Sequence, residues 1–209
     1  MSTEGGNAVR VKICGLTRSQ DVRAAVAAGA DALGFVLTSR SKRCLDAGAA
    51  ADLVRRVPAF IGRVGLFMDQ ERDDVRRILD QVPLNLLQFH GQEDGAYCRS
   101  FGLPYIKALA MGAGPMPNLD DYADAAGILL DSHRAGETGG TGRRFDWTTI
   151  PSLALPLILA GGLTPANVGQ AVRQVRPWAV DVSSGVEDAP GIKNEEKMRT
   201  FIREAKREY

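Results

Sequence analysis

Residues 157–187 read LILAGGLTPANVGQAVRQVRPWAVDVSSGVE, two strand-to-helix units in tandem. LILA is a continuous apolar run of strand length, too short for a helix, and Gly161-Gly162 stops it. Thr164, then Pro165, then a periodic apolar segment predicts a helix start, with the hydroxyl as cap and proline in the first turn. AVDV followed by Ser183-Ser184-Gly185 repeats the arrangement. Small residues let the backbone approach a ligand, and amides left open at a loop or helix start suit a phosphate. A single GG is equally a tight turn. Two such strand ends in succession point to the phosphate site that eight-stranded α/β barrels keep after their last two strands.

Working outward, the chain alternates strand and helix throughout. Candidate strands begin near Val9, Ala32, Phe60, Leu84, Tyr105, Gly127, Leu157 and Ala179. That leaves about two dozen residues per unit, a minimal βα repeat. Helical spacing runs over 21–28, 47–57, 72–80, 94–101, 167–174 and 194–208. The fifth helix is reduced to a turn or two, because MGAGPMPNLDDYADA opens with Gly and Pro, and the sixth is short and begins at Asp146. The expected fold is α/β, a (βα)8 TIM barrel forming a single compact domain over 9–209, with residues 1–8 a flexible polar lead-in.

Composition agrees. With 209 residues and 44% apolar side chains the chain buries a full core, near the lower end of length for a barrel. A formal net charge of +1 gives no global field for nucleic acid or a membrane surface. There is no apolar run of transmembrane length and no signal-peptide pattern. Cys14, Cys44 and Cys98 are odd in number and lack metal-type spacing, which suits a reducing cytoplasm and gives no metal site.

Strand parity sorts inside from outside. Val9, Val11 and Ile13 share the face under the helices, which turns Lys12 and Cys14 into the barrel. By the same count Leu87, Phe89, Ile128, Leu130, Val180 and Val182 point outward. Gln88, His90, Leu129, Asp131, Asp181 and Ser183 point inward. A doubly wound open sheet has similar strands, but usually five or six, and does not need this polar set on a common face. Barrels keep their active sites at the strand ends. Cys14 and Asp131, on strands three steps apart around the ring, can approach a bound molecule from opposite sides as base and acid. Lys12 near Cys14 favours its thiolate. Taken singly, Cys14 reads equally as a small buried hydrophobe and Asp131 as a cap.

Several segments together resemble the phosphoribosylanthranilate isomerase family: VKICGLT (11–17), GFV and SKR after strand two, LQFHG (87–91), LLD (129–131), GGTGRRFDW (139–147), LAGGLTPANV (159–168) and VDVSSGVE (180–187). They fall in the family's order from about residue 11 to residue 191. The resemblance implies a cofactor-free Amadori rearrangement of N-(5-phosphoribosyl)anthranilate in tryptophan biosynthesis. The partner is then a small phosphorylated substrate, not nucleic acid or membrane, and the enzyme is a monomer or homodimer. It also implies roles: Cys14 as general base, Asp131 as general acid and Arg43 facing the anthranilate carboxylate. Gly161, Gly162, Ser183 and Ser184 lie around the phosphate, and Asp181 is the inward aspartate of strand eight. Cys44 departs from the pattern, since an aromatic often follows this arginine.

The implied chemistry asks Asp131 to hold a proton, hence a carboxyl pKa raised by partial burial. His90 reads as a hydrogen-bonded barrel residue within reach of ligand. The basic cluster Arg40, Lys42, Arg43 reads as a solvated face apart from Arg43. The glycines of loop 132–145, which also carries His133 and Arg134, predict a segment that orders over substrate. The related aminoaldose isomerase of histidine biosynthesis is the alternative enzyme, but RVGLFMD and LQFHGQ offer no second phosphate seat. A silent phosphate-ligand binder on the same barrel is the alternative from another class.

Overall fold

A computed structural model describes residues 8–111, 118–132 and 146–207. The lead-in up to residue 7 and most of loop 132–145, with His133 and Arg134, lie outside the described residues. Eight parallel strands close into a barrel in sequence order: β1 (Arg10–Cys14), β2 (Ala32–Val36), β3 (Gly62–Phe67), β4 (Leu86–Phe89), β5 (Tyr105–Ala110), β6 (Gly127–Asp131), β7 (Leu157–Leu159) and β8 (Ala179–Val182). The ring closes where β8 pairs with β1, Val11 opposite Val180 and Lys12 opposite Asp181. Outside lie α1 (Ser19–Ala27), α2 (Ala47–Val54), α3 (Arg72–Leu79), α4 (Gly95–Arg99), α5 (Val168–Val175) and α6 (Glu195–Lys206). The fifth and sixth outer segments are single 3-10 turns, Leu119–Tyr122 and Trp147–Thr149, in keeping with their Gly/Pro content and shortness.

Parity is as the alternation predicts. Val9, Val11, Ile13, Leu87, Phe89, Ile128, Leu130, Val180 and Val182 are buried in the layer between strands and helices. A separate inner cluster contains Ile106, Ala108, Leu129, Ile158, Ala160 and Ala179. This apolar plug fills the barrel below the polar strand ends, so the latter line a floor and not a pore.

Local differences have local causes. The strand expected near Phe60 starts at Gly62, because Phe60 itself adopts a left-handed φ of 70° and is fully exposed. The helix expected to be capped by Thr164 instead starts at Val168 with Asn167 at its N-cap. The Asn167 side chain accepts from the Thr164 amide at 2.8 Å and donates to the Gly162 carbonyl at 2.9 Å. Asparagine's paired donor and acceptor thus brace the GGL loop, which a threonine hydroxyl reaching forward does not. A hairpin that the alternation does not announce follows β8: a 3-10 turn over Ser184–Val186, then β9 (Glu187–Ala189) and β10 (Ile192–Lys193), with Lys193 opposite Glu187.

Candidate active site

A cleft opens at the C-terminal ends of the strands, where barrels keep their active sites. Cys14, Arg43, His90, Asp131, Asp181 and Ser183 are among its lining. A second, adjoining pocket is walled by Gly161, Gly162, Ser183, Ser184 and Gly185, and shares Asp131, Asp181 and Ser183 with the first. The structure therefore brings every sequence-derived candidate into one continuous depression.

Cys14 ends β1 and is buried. Gly34 lies opposite it on β2, and a Cβ there would sit 2.8 Å from the Cys14 sulfur, so the missing side chain makes room for the thiol. Lys12, two residues earlier on the same face, donates to Asp181 Oδ1 at 2.9 Å in a buried pair. Burial pushes the Cys14 thiol above its ordinary value and Asp181 adds to this, while Lys12 and, more weakly, Lys193 pull the other way. Lys12 thus favours the Cys14 thiolate, as their shared strand face predicts, but desolvation outweighs it. Burial also opposes the charge of Lys12, yet Asp181 and Cys14 outweigh that, holding its ammonium above the usual lysine range.

Asp131 ends β6 and is buried, with Oδ2 3.6 Å from His90 Nε2. His90 sits just beyond β4, where Gln88 Nε2 approaches its Nδ1 at 3.1 Å. The loop carrying His90 is anchored from behind: Glu93 accepts from the Gly91 and Asp69 amides, and the buried Lys107 ammonium bonds both Glu93 and the Gly91 carbonyl.

Arg43 reaches the cleft over Gly15, whose φ is +75° and whose Cβ would meet Arg43 Cδ at 2.5 Å. Its guanidinium is held bidentately by Glu187, Nε to Oε1 at 2.8 Å and Nη2 to Oε2 at 2.7 Å. Glu187 bonds hold Arg43 above its ordinary pKa; burial opposes the charge of Glu187, but Arg43 and Lys193 outweigh it and lower that carboxyl. Sequence reasoning assigned no role to Glu187 or Lys193. Glu187 closes a quoted motif, whereas its contact with Arg43 spans 144 residues and leaves no periodic trace. Arg40, by contrast, is half-exposed and pairs with Asp69, as a solvated face would. Cys44 is exposed.

In the adjoining pocket Gly161 and Gly162 take left-handed φ values of 83° and 62°. Their amides donate to no backbone acceptor among the described residues. Left-handed glycines with open N–H groups beside Ser183 and Ser184 form a concave donor surface suited to an oxyanion.

Comparison with known proteins agrees with this geometry. The family model described as N-(5'-phosphoribosyl)anthranilate (PRA) isomerase matches residues 11–204. An N-(5'-phosphoribosyl)anthranilate isomerase from Thiobacillus denitrificans is 55% identical over 202 residues, covering 95% of this chain and 98% of the relative. A phosphoribosyl anthranilate isomerase solved in complex with reduced 1-(o-carboxyphenylamino)-1-deoxyribulose 5-phosphate superposes with a TM-score of 0.77 at 37% identity, covering 95% of this chain and 98% of that one. A structure of monomers generated from the dimeric enzyme of Thermotoga maritima gives 0.79 at 36% identity, with the same coverage.

Proposed function

The chain belongs to the N-(5'-phosphoribosyl)anthranilate isomerase family, and from that premise we propose how its barrel performs the family's aldose–ketose isomerisation in tryptophan biosynthesis. The observation that carries the reading is the placement of Cys14 and Asp131 around one cleft that runs into the glycine–serine pocket. The substrate's phosphate sits against the backbone of Gly161, Gly162, Ser183 and Ser184, and its aromatic carboxylate faces Arg43. This anchors both ends, and binding energy remote from the reacting bonds holds the sugar in a reactive pose.

Asp131 protonates the ribose ring oxygen as the bond from that oxygen to the anomeric carbon breaks, and the amine lone pair forms a protonated imine. The imine acidifies the neighbouring carbon. Cys14, as thiolate, removes its proton, and the electron pair moves back to nitrogen to give an enolamine. Protonation at the former anomeric carbon, with loss of the proton from the enol hydroxyl of its neighbour, yields the 1-deoxyribulose ketone. Each positioned proton transfer contributes about 10²–10⁴-fold. Because burial disfavours the thiolate of Cys14, Lys12 and Lys193 offset part of that cost. Asp181 holds Lys12 in place beside the thiol.

No helix among the described residues is long and apolar enough to cross a membrane. That and the unpaired cysteines support a cytoplasmic enzyme. A dimeric relative supports a homodimer as readily as a monomer. The test is to supply freshly formed phosphoribosylanthranilate and follow loss of its fluorescence, with the histidine-pathway aminoaldose in parallel. Turnover of the first and not the second is expected. A folded protein inert towards the anthranilate sugar would contradict the reading.

A further inference from the structure

Arg43 faces the cleft already bound by a carboxylate. Glu187 engages it through two hydrogen bonds, and a neutral Arg–Glu pair attracts a second carboxylate poorly. The charge balance is changed by a residue outside the motifs. Lys193, on β10, is fully buried at its side chain and donates from Nζ to Glu187 Oε1 at 2.7 Å. Its remaining donors meet the Ser183 carbonyl at 3.1 Å and the Ser183 hydroxyl at 3.3 Å. Arg43, Glu187 and Lys193 therefore sum to a single positive charge. Two of Arg43's five N–H groups are spent on Glu187, and among the described residues the other three are left open.

We propose that Lys193 is a positioning residue for the substrate's aromatic carboxylate: its buried charge offsets Glu187, so that Arg43 is held in place and still presents a net positive charge. The proposal rests on the reading of Arg43 as the carboxylate's partner.

The hairpin explains how the ammonium is kept there. The Lys193 amide donates to Asp21 Oδ2 at 3.1 Å, and Arg18 donates to the Lys193 carbonyl at 3.1 Å, so the backbone is clamped at the start of α1. Three mutually bonded buried charges are a weak stability device, since well-packed apolar side chains often serve a fold as well or better. Burial does push the Lys193 pKa down, with Glu187 resisting. A role towards an anionic ligand accounts for what stability alone does not. Through Ser183, the same ammonium also touches the wall shared by the two pockets.

The experiment compares phosphoribosylanthranilate with its N-phenyl analogue, which lacks the carboxylate, by product formation on the same enzyme preparation. The ratio of the two kcat/KM values is independent of the folded fraction. Lys193→Met should lower that ratio roughly tenfold, mainly through KM for the carboxylated substrate, as expected for a unit charge removed at short range. Lys193→Met combined with Glu187→Gln restores the net charge and should recover most of the ratio. Glu187→Gln alone, with Lys193 present, should hold or raise it. Equal losses on both substrates, or a double variant no better than Lys193→Met, would overturn the proposal. An unchanged ratio in Arg43→Met would instead remove the carboxylate reading on which it stands.

Discussion

Lys12→Met probes the centre of the site through two observables. The Lys12–Asp181 pair is 2.9 Å long, with side chains only 5% and 9% exposed. Removing the lysine strands a buried carboxylate, which typically costs about 3–5 kcal/mol. Against a domain stability of about 5–15 kcal/mol the variant should still fold at 25 °C, with a markedly lower denaturant midpoint. Adding Asp181→Asn removes the stranded charge and should recover most of the loss. The thiol supplies the sharper readout. Lys12 is the largest influence lowering the Cys14 pKa and Asp181 a charge raising it, so Lys12→Met should move it up and Asp181→Asn alone should move it down. The assay is the pH dependence of Cys14 alkylation in a Cys44→Ala background. Cys98 stays silent, because burial pushes its thiol up to about 12. The basic-form limb of the activity profile should shift in the same sense as the alkylation curve. A Lys12→Met thiol that titrates at or below the wild-type pH would refute the coupling.

Two further outcomes follow from the same contacts. Gly161→Ala forces a left-handed backbone on alanine and sets its Cβ 2.5 Å from the Ser132 amide nitrogen and hydroxyl; at about 1–3 kcal/mol of strain it should raise KM about tenfold or more while sparing kcat, and an unchanged KM would count against a phosphate seat there. Glu187 titrates below its ordinary 4.5 in the folded protein, so its stabilisation is complete above that pH and fades as acid protonates it. Glu187→Gln should therefore flatten the fall of unfolding free energy on the acid side of pH 4.5, and parallel curves for the two proteins would dismiss the contribution.

The barrel was legible because its signal is local. A β-strand has a period of two, and the alternation of Val9, Val11 and Ile13 with Lys12 and Cys14 is enough to state which face is packed under helices. The same count turns His90, Asp131 and Asp181 inward, where they line the cleft. The glycines and serines closing β7 and β8 were readable for the same reason. What stayed hidden depends on closing the ring. The Lys12–Asp181 and Arg43–Glu187 contacts join residues 169 and 144 positions apart. The net effect on Cys14 could not be read from Lys12 alone, because it is set by how completely the surrounding chain desolvates the thiol. The periodic segment 167–174 falls within one residue of the helix that starts at Val168, but its cap is Asn167 and not Thr164. Both Thr164 and Asn167 are good caps, and only the fold shows that Asn167 also fastens the Gly162 carbonyl.

The most direct test of the assignment is the split between binding and turnover in Cys14→Ser and Asp131→Asn. Affinity for the reduced carboxyphenylamino-deoxyribulose phosphate is measured alongside single-turnover conversion of phosphoribosylanthranilate. Each variant should hold the analogue within a few-fold of wild type and lose at least about 10²-fold in the chemical step, as expected when a positioned proton carrier is removed. Near-normal conversion by either variant would contradict the pairing of that thiol and carboxyl across the sugar.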